Sequence, residues 1–203
     1  MEVTGQECVP PYGPLIVVAN HVSYNDPPAL VASVPRSLES LGKKELFTNP
    51  FNRWLMRGFR VHPLDRSGTG VDAMRAAMDL LAQDRAVVIF PEGHISPDHS
   101  LKEAKAGAAF LAMKTQAPIL PVGIYGTERF SPWRMPLPLR RFYVNIGPPF
   151  TPPIIEGRLT REVVNNVLGM IMGRVAALLP EEYQGVYALP REGHAARDTI
   201  PRS

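Results

Sequence analysis

A histidine and an aspartate separated by four residues, in the stretch N-H-V-S-Y-N-D-P-P, are the pair best placed to do chemistry in this chain. His21 lies two residues beyond an apolar run ending at Ala19, and Pro27 suits the first position of a helix, which makes Asp26 the expected N-cap. A carboxylate there accepts a hydrogen bond from one imidazole nitrogen, fixes the tautomer and leaves the other nitrogen free to take a proton from a substrate hydroxyl. The pair then reads as a positioned general base. On these residues alone, a strand-end His beside a helix-capping Asp is an equally good description. Ser23 shares the turn, but it lacks the Gly-x-Ser-x-Gly elbow of hydrolases and is expected to hydrogen-bond within the turn.

The elements that must position this pair alternate in type. Apolar, β-branched-rich runs predict strands at Leu15 to Ala19, Arg60 to Leu64, Ala86 to Phe90, Ile119 to Tyr125 and Phe142 to Ile146. LIVVA and AVVIF are apolar throughout, as strands covered on both faces must be. Helical period predicts helices at Pro27 to Ser33, Glu45 to Arg57, Val71 to Gln83, Lys102 to Lys114 and Arg161 to Leu179, the last capped by Thr160. The fold class is α/β: a single domain with a mixed, mostly parallel β-sheet flanked by helices. The domain is expected over residues 1–185, followed by a polar, aperiodic and disordered tail over 186–203.

Composition narrows the function. At 203 residues the chain supports one domain, and 45% hydrophobic content supports a packed core. A net charge of +3 is too mild for a dedicated nucleic-acid binder, although 17 of the 22 cations are Arg, a bias toward fixed bidentate anion contacts. Cys8 is the single cysteine, which excludes an internal disulfide and thiolate metal clusters and suits a reducing compartment. The apolar runs fall far short of the roughly 20 residues of a membrane span, and no secretory leader is visible. The expectation is a cytoplasmic protein with only peripheral membrane contact.

Four segments in order carry a resemblance. N-H-V-S-Y-N-D, then KKELFTNPF with GFRVHPLDR, then FPEGHIS, and finally KAGAAFLA with APILPVGIYGTE resemble the four blocks of the glycerolipid acyltransferase family. The resemblance spans roughly Met1 to Leu179. It implies a glycerolipid acyltransferase-like fold and transfer of an acyl chain from acyl-CoA or acyl carrier protein to the hydroxyl of a lysophospholipid, in phospholipid biosynthesis. The acceptor it implies is 1-acyl-sn-glycerol 3-phosphate, giving phosphatidic acid. By the same resemblance His21 is the general base and Asp26 its orienter, with no covalent acyl-enzyme, no cofactor beyond the donor and no metal. A backbone N–H at the start of the helix after Asp26 is the expected donor to the thioester oxyanion.

For the acceptor phosphate, seven cations face three acids between Arg36 and Arg66. The resemblance singles out Arg66, with Lys43 and Lys105 behind it, while Arg53 and Arg57 read better as a solvated helix face. Glu92 is expected to hydrogen-bond the acceptor or organise the arginines, and Gly93 to let the backbone turn close to the substrate. The chain departs from the family where Thr-Arg usually follows Phe-Pro-Glu-Gly: here His94 and Ile95 stand instead. That keeps glycerol 3-phosphate or a non-phosphorylated lysolipid open as acceptors. His94, Asp98 and His99 have ligand chemistry but lack a fourth partner, and no metal is expected.

Family members commonly carry an apolar helix or helical pair before the first strand, a segment that would end where E-V-T-G stands here. Either such a segment precedes this stretch, or membrane contact runs through LFTNPFNRWLMRGF, with Phe47, Phe51, Trp54 and Phe59, or through RFSPWRMPLPLRRF, with Phe130, Trp133, Arg140 and Arg141. Two further readings stand beside acyl transfer. One is a catalytically silent lipid-binding protein, against which the intact His21 and Asp26 argue. The other is a thioesterase, in which the base activates water.

Overall fold

The computed structural model describes residues 1–64, 70–129, 141–155 and 157–188, with the side chain of Lys43 left aside. Seven strands make one sheet: β1 (Glu2–Thr4), β2 (Leu15–Ala19), β3 (Leu38–Lys43), β4 (Val61–Leu64), β5 (Ala86–Ile89), β6 (Ile119–Tyr125) and β7 (Tyr143–Ile146). Their order is β1-β7-β6-β2-β5-β3-β4. Every pairing is parallel except β6 with β7, so the α/β expectation of a mostly parallel mixed sheet is met.

Five helices flank it: α1 (Asp26–Ser33), α2 (Pro50–Gly58), α3 (Val71–Ala82), α4 (Gly107–Thr115) and α5 (Arg161–Ala176). The strand β2 lies at the centre, and all five of its residues are fully buried. Its side chains alternate between two cores. Ile16 and Val18 join α3, α4 and α5 through Leu81, Leu111, Ile171 and Met172. Leu15, Val17 and Ala19 meet Leu30 of α1 and Val34 on the other face.

Local chemistry sets several element ends differently from expectation. The second helix begins at Pro50 because the side chain of Asn49 accepts the Asn52 N–H at 2.7 Å; Lys44–Phe47 form a separate 3₁₀ turn. The fourth begins at Gly107, since the chain before it is tied to the Phe-Pro-Glu-Gly turn, with the Lys102 N–H on Glu92 and the Lys105 N–H on the Pro91 carbonyl. Arg60 has φ 50° and stays outside β4. The fifth helix is capped by Thr160 as expected and stops at Ala176. Two strands have no apolar run: β1 is three residues long, and β3 reads Leu-Glu-Ser-Leu-Gly-Lys.

Of the expected tail, Val186 and Tyr187 are tied to the body, the Val186 N–H to the Leu101 carbonyl and the Tyr187 hydroxyl to the Ala104 N–H. The stretch 189–203 lies outside the described residues. No helix among the described residues is long and apolar enough to cross a membrane.

One buried side chain extends the central pairing. Asn20, 1% exposed, donates through Nδ2 to the Ile124 carbonyl (2.8 Å) and accepts the Ile124 N–H on Oδ1 (2.7 Å). It thus satisfies both backbone groups of one β6 residue in the place of a strand. Replacing Asn20 with Ala orphans both backbone groups, at roughly 1–3 kcal/mol each. Urea unfolding of Asn20→Ala is expected to show a total loss of about 2–6 kcal/mol; a loss under about 1 kcal/mol would mean that water replaces the amide freely.

Candidate active site

The turn after β2 is built around one carboxylate. Asp26 is completely buried, and its Oδ2 accepts the Val22 N–H at 2.7 Å and the Ser23 N–H at 2.8 Å. The His21 Nδ1 stands 2.9 Å from the same oxygen, and the Thr127 hydroxyl donates to Oδ1. A carboxylate engaged by backbone amides acts as acceptor only, so the proton on this contact sits on Nδ1 and the lone pair is left on Nε2. The expected N-cap is corrected by one position: Asn25 precedes the helix and Asp26 is its first residue, because its carboxylate turns back onto the amides of residues 22 and 23. Ser23 keeps its expected local role, its hydroxyl accepting the Asn25 N–H at 3.1 Å.

The imidazole is held from further sides. Phe90 stacks on it with ring centroids 4.4 Å apart, and the His21 side chain remains 17% exposed. The backbone of His21 is also fixed at both ends, its N–H on Glu92 Oε1 (3.0 Å) and its carbonyl accepting the Ser96 N–H (2.8 Å). Sequence reasoning assigned no role to Asn20, Phe90, Ser96 or Thr127. For Thr127 the one signal was its place in the fourth family-like block.

Glu92 differs from expectation. It is 1% exposed, and its second oxygen accepts the Lys102 N–H at 2.9 Å, so the carboxylate ties two backbone segments together rather than facing an acceptor. Burial pushes its carboxyl up from the ordinary glutamate value, against the lowering pull of the Lys102 and His21 amides. Gly93 does make the expected sharp turn, at φ 73°. A Cβ there would lie 2.9 Å from Lys105 Nζ, which places the exposed Lys105 ammonium against this turn beside Glu92.

The other predicted cations separate. Register places Lys43 level with Asn20 on the sheet's carboxyl edge, two strands from β2, about 10 Å in backbone distance. Arg66 lies outside the described residues. Arg36 clamps loops, bonding the Pro10 carbonyl at 3.0 Å and the Asp84 carbonyl at 2.8 Å, and Arg60 pairs with Glu39. Arg53 and Arg57 are exposed, in keeping with a solvated helix face.

The expected oxyanion donor is absent from the start of α1. Pro27 and Pro28 have no N–H, and those of Asp26 and Ala29 are taken by the Ser23 and Asn25 carbonyls. Asp98 is engaged by Lys102, Ser96 and Ser100, which hold it well below the usual carboxylate range. No three His, Cys, Asp or Glu side chains among the described residues gather as a metal site.

A half-buried His on a buried Asp thus stands at the carboxyl edge of a mostly parallel sheet, beside a Phe-Pro-Glu-Gly turn. The family model described as Acyltransferase matches residues 1–125, and the chain belongs to that family. Curated proteins similar to it include several 1-acyl-sn-glycerol-3-phosphate acyltransferases. The chloroplastic enzyme of Brassica napus is 34% identical over 121 residues, which are 59% of this chain and 35% of that protein. The human alpha enzyme is 33% identical over 134 residues, 64% of this chain and 47% of that protein. The chain thus spans between a third and a half of these relatives. Among solved structures, the 1-acyl-sn-glycerophosphate acyltransferase PlsC of Thermotoga maritima superposes with a TM-score of 0.67 at 29% identity, covering 87% of this chain and 71% of that one.

The raised Glu92 carboxyl has a measurable consequence. The folded protein binds this proton more tightly than the unfolded chain, so the group's contribution to stability declines as pH rises from the ordinary value of 4.5 to the raised one, and is level above it. Glu92→Gln has no such proton. The wild type's stability margin over Glu92→Gln is expected to shrink across that window in urea unfolding at stepped pH. A margin that stays flat or grows would contradict the assignment.

Proposed function

We propose that this chain transfers an acyl group from a thioester donor, acyl-CoA or acyl carrier protein, to the free hydroxyl of a lysophospholipid, with 1-acyl-sn-glycerol 3-phosphate the leading acceptor and phosphatidic acid the product. One observation carries the reading: His21 Nδ1 is committed to a buried carboxylate at 2.9 Å, which leaves Nε2 as a base at the carboxyl edge of the sheet. Open α/β sheets bind ligands at that edge.

In the proposed reaction Nε2 takes the proton from the acceptor hydroxyl as its oxygen attacks the thioester carbonyl carbon. The tetrahedral intermediate collapses with cleavage of the C–S bond, and the imidazolium returns the proton to the departing thiolate. The acyl group has moved from sulfur to oxygen and one proton from oxygen to sulfur. Asp26 steadies the imidazolium while it exists. The Lys105 ammonium at the Gly93 turn, together with Arg66 and Lys43, is proposed to meet the acceptor phosphate, which takes on weight because Ile95 stands where the family usually has Arg.

Because the acceptor is a lipid, the enzyme is proposed to work at a membrane face. The support is α2 and the turn before it: Leu46, Phe51 and Trp54 are 45%, 68% and 70% exposed, and the two aromatic rings pair at 6.2 Å. Large exposed apolar side chains beside arginines suit a bilayer interface. Phe130, Trp133 and Arg140 of the second expected segment lie outside the described residues.

The purified chain, incubated with acyl-CoA and a panel of lysolipids, is expected to release CoA in an acceptor-dependent way and form a diacyl product. His21→Ala should lower turnover by roughly 10² or more while the fold survives. Activity within about tenfold of wild type would reject His21 as the base. CoA release without a lipid product would favour the thioesterase, and neither event a silent lipid binder. Separately, Phe51→Ser with Trp54→Ser is expected to reduce co-sedimentation with anionic vesicles at least severalfold, as two interfacial aromatics are lost. Unchanged sedimentation would move membrane contact elsewhere.

A further inference from the structure

Thr127 opens the 3₁₀ turn Thr127–Arg129, just past the end of β6, and is 1% exposed. Its hydroxyl is the one donor to Oδ1 of Asp26 among the described residues. An ionised carboxylate only accepts, so the hydroxyl proton points at Asp26. The other oxygen is served differently. Its two amides belong to the backbone of residues 22 and 23, and His21 Nδ1 takes the third place. Thr127 is therefore the only side chain, besides the imidazole itself, that meets this carboxylate among the described residues.

The place of that hydroxyl is fixed from several sides. The Thr127 carbonyl accepts from Asn25 Nδ2 at 3.2 Å, so the residue grips the turn at two successive positions. On one flank Asn20 pairs with Ile124, and on the other Glu128 accepts the Tyr183 hydroxyl at 2.8 Å. Asn20 and Asn25 already tie the turn to the end of β6. What the hydroxyl adds to these ties is its dipole on a carboxylate that water does not reach.

That dipole reaches the reaction through Asp26. Each donor to a carboxylate stabilises its charge and weakens its pull on a further proton. In the proposed reaction His21 holds the proton only while the tetrahedral intermediate lasts, so Asp26 has to steady the imidazolium without trapping it. With Oδ1 bare, more of the carboxylate's charge would fall on Nδ1–H. The pair would then keep a proton taken from water at higher pH, and a protonated imidazole is no base. The other charged groups around the ring do not depend on the Thr127 hydroxyl. Glu92 accepts the His21 N–H, with exposed His94 near it and Lys105 at the Gly93 turn. Beyond Thr127, Glu128 pairs with Arg129 at 3.3 Å.

We propose that Thr127 is a positioning residue of the acyl-transfer site: its hydroxyl holds Oδ1 of Asp26 and restrains the basicity of the His21–Asp26 pair, so that Nε2 gives a proton up as readily as it takes one. The proposal rests on the acyl-transfer reading and adds to it a third side chain, delivered from 101 residues beyond Asp26.

The test uses the full chain with Thr127→Val, which keeps the side chain's shape and removes the donor, and Thr127→Ser, which keeps the donor. In Thr127→Val the acid limb of kcat/KM for acyl transfer should move up by roughly half a pH unit or more, as part of a charge-assisted hydrogen bond is passed on to the imidazole. At neutral pH kcat should fall by about tenfold while KM holds. Thr127→Ser should return both to wild type. The His21 ring titration, followed by NMR without substrate and assigned from the signals lost in His21→Ala, should move in the same direction. A hydroxyl that is only a tether would cost stability in urea and leave the acid limb and the ring titration in place, which would overturn the proposal. A movement to lower pH, or no rescue by serine, would also overturn it. Should Thr127→Val fail to fold, Thr127→Cys, whose thiol is a weak donor, should show a smaller movement of the same sign, and no movement there would likewise overturn the proposal. The ring titration needs no turnover, so the two readings fail separately. A Thr127-dependent titration without any lipid product would sink acyl transfer alone, whereas product formation with a Thr127-independent titration would sink this role alone.

Discussion

Taking a carboxylate wholly out of water costs several kcal/mol unless its oxygens find donors, and Asp26 is wholly out of water. Meeting that requirement dictates much of the surrounding chain. The strand β2 has to end at Ala19 so that residues 21–23 can fold back and aim two amides at Oδ2. The end of β6 has to lie alongside, because Oδ1 is served by Thr127, 101 residues away. Asn20 secures that approach by gripping Ile124, three residues before Thr127. The geometry of His21 is a by-product of satisfying its neighbour: the imidazole fills the last donor position around a carboxylate that backbone and hydroxyl have already fixed.

Among the described residues three carboxylates are buried, and they are satisfied in three different ways. Asp26 is met by two amides, a hydroxyl and an imidazole. Glu92 is met by two backbone amides from separate segments, which makes it a mechanical tie. Glu39 is met by basic side chains that remain half exposed, so its charge shapes a surface. Only the first sets an imidazole just past the carboxyl end of a strand, since His62 beside Glu39 lies within β4. The difference follows from position: Asp26 and Glu92 lie in turns at the carboxyl edge, where free amides are available, while Glu39 sits within a strand whose amides are spent on the ladder.

What was legible in the sequence follows the same logic. Strands buried on both faces announce themselves as apolar runs, and LIVVA and the ILPVGIY segment were found within their observed limits. The strand β3 was missed because its place comes from tertiary partners: Glu39 is compensated by Arg60, His62 and Arg85, none of which is within twenty residues in sequence. The His21–Asp26 pairing could be read because it is local. The Thr127 contact could not, being a hydroxyl delivered from the far end of another strand. Glu92 was expected to hydrogen-bond the acceptor or organise the arginines because it stands in the family-like Phe-Pro-Glu-Gly segment, and only packing shows that both its oxygens accept backbone amides.

The pairing of β1 with β7 bears on how such a chain is made. Glu2 lies opposite Tyr143 and Thr4 opposite Asn145, so β1 leaves the ribosome long before the strand it pairs with. Contacts of such long sequence separation form late, after the intervening chain has lost its freedom. Until β7 emerges, β1 lacks its partner, while the central strands β2, β5 and β6 can already associate. Because β7 runs antiparallel to β6 and must dock first, the outer edge of the sheet is sealed in a set order. A nascent chain halted before residue 143 would expose both β6 and β1 as open edges, the kind of surface on which chaperones and aggregation compete.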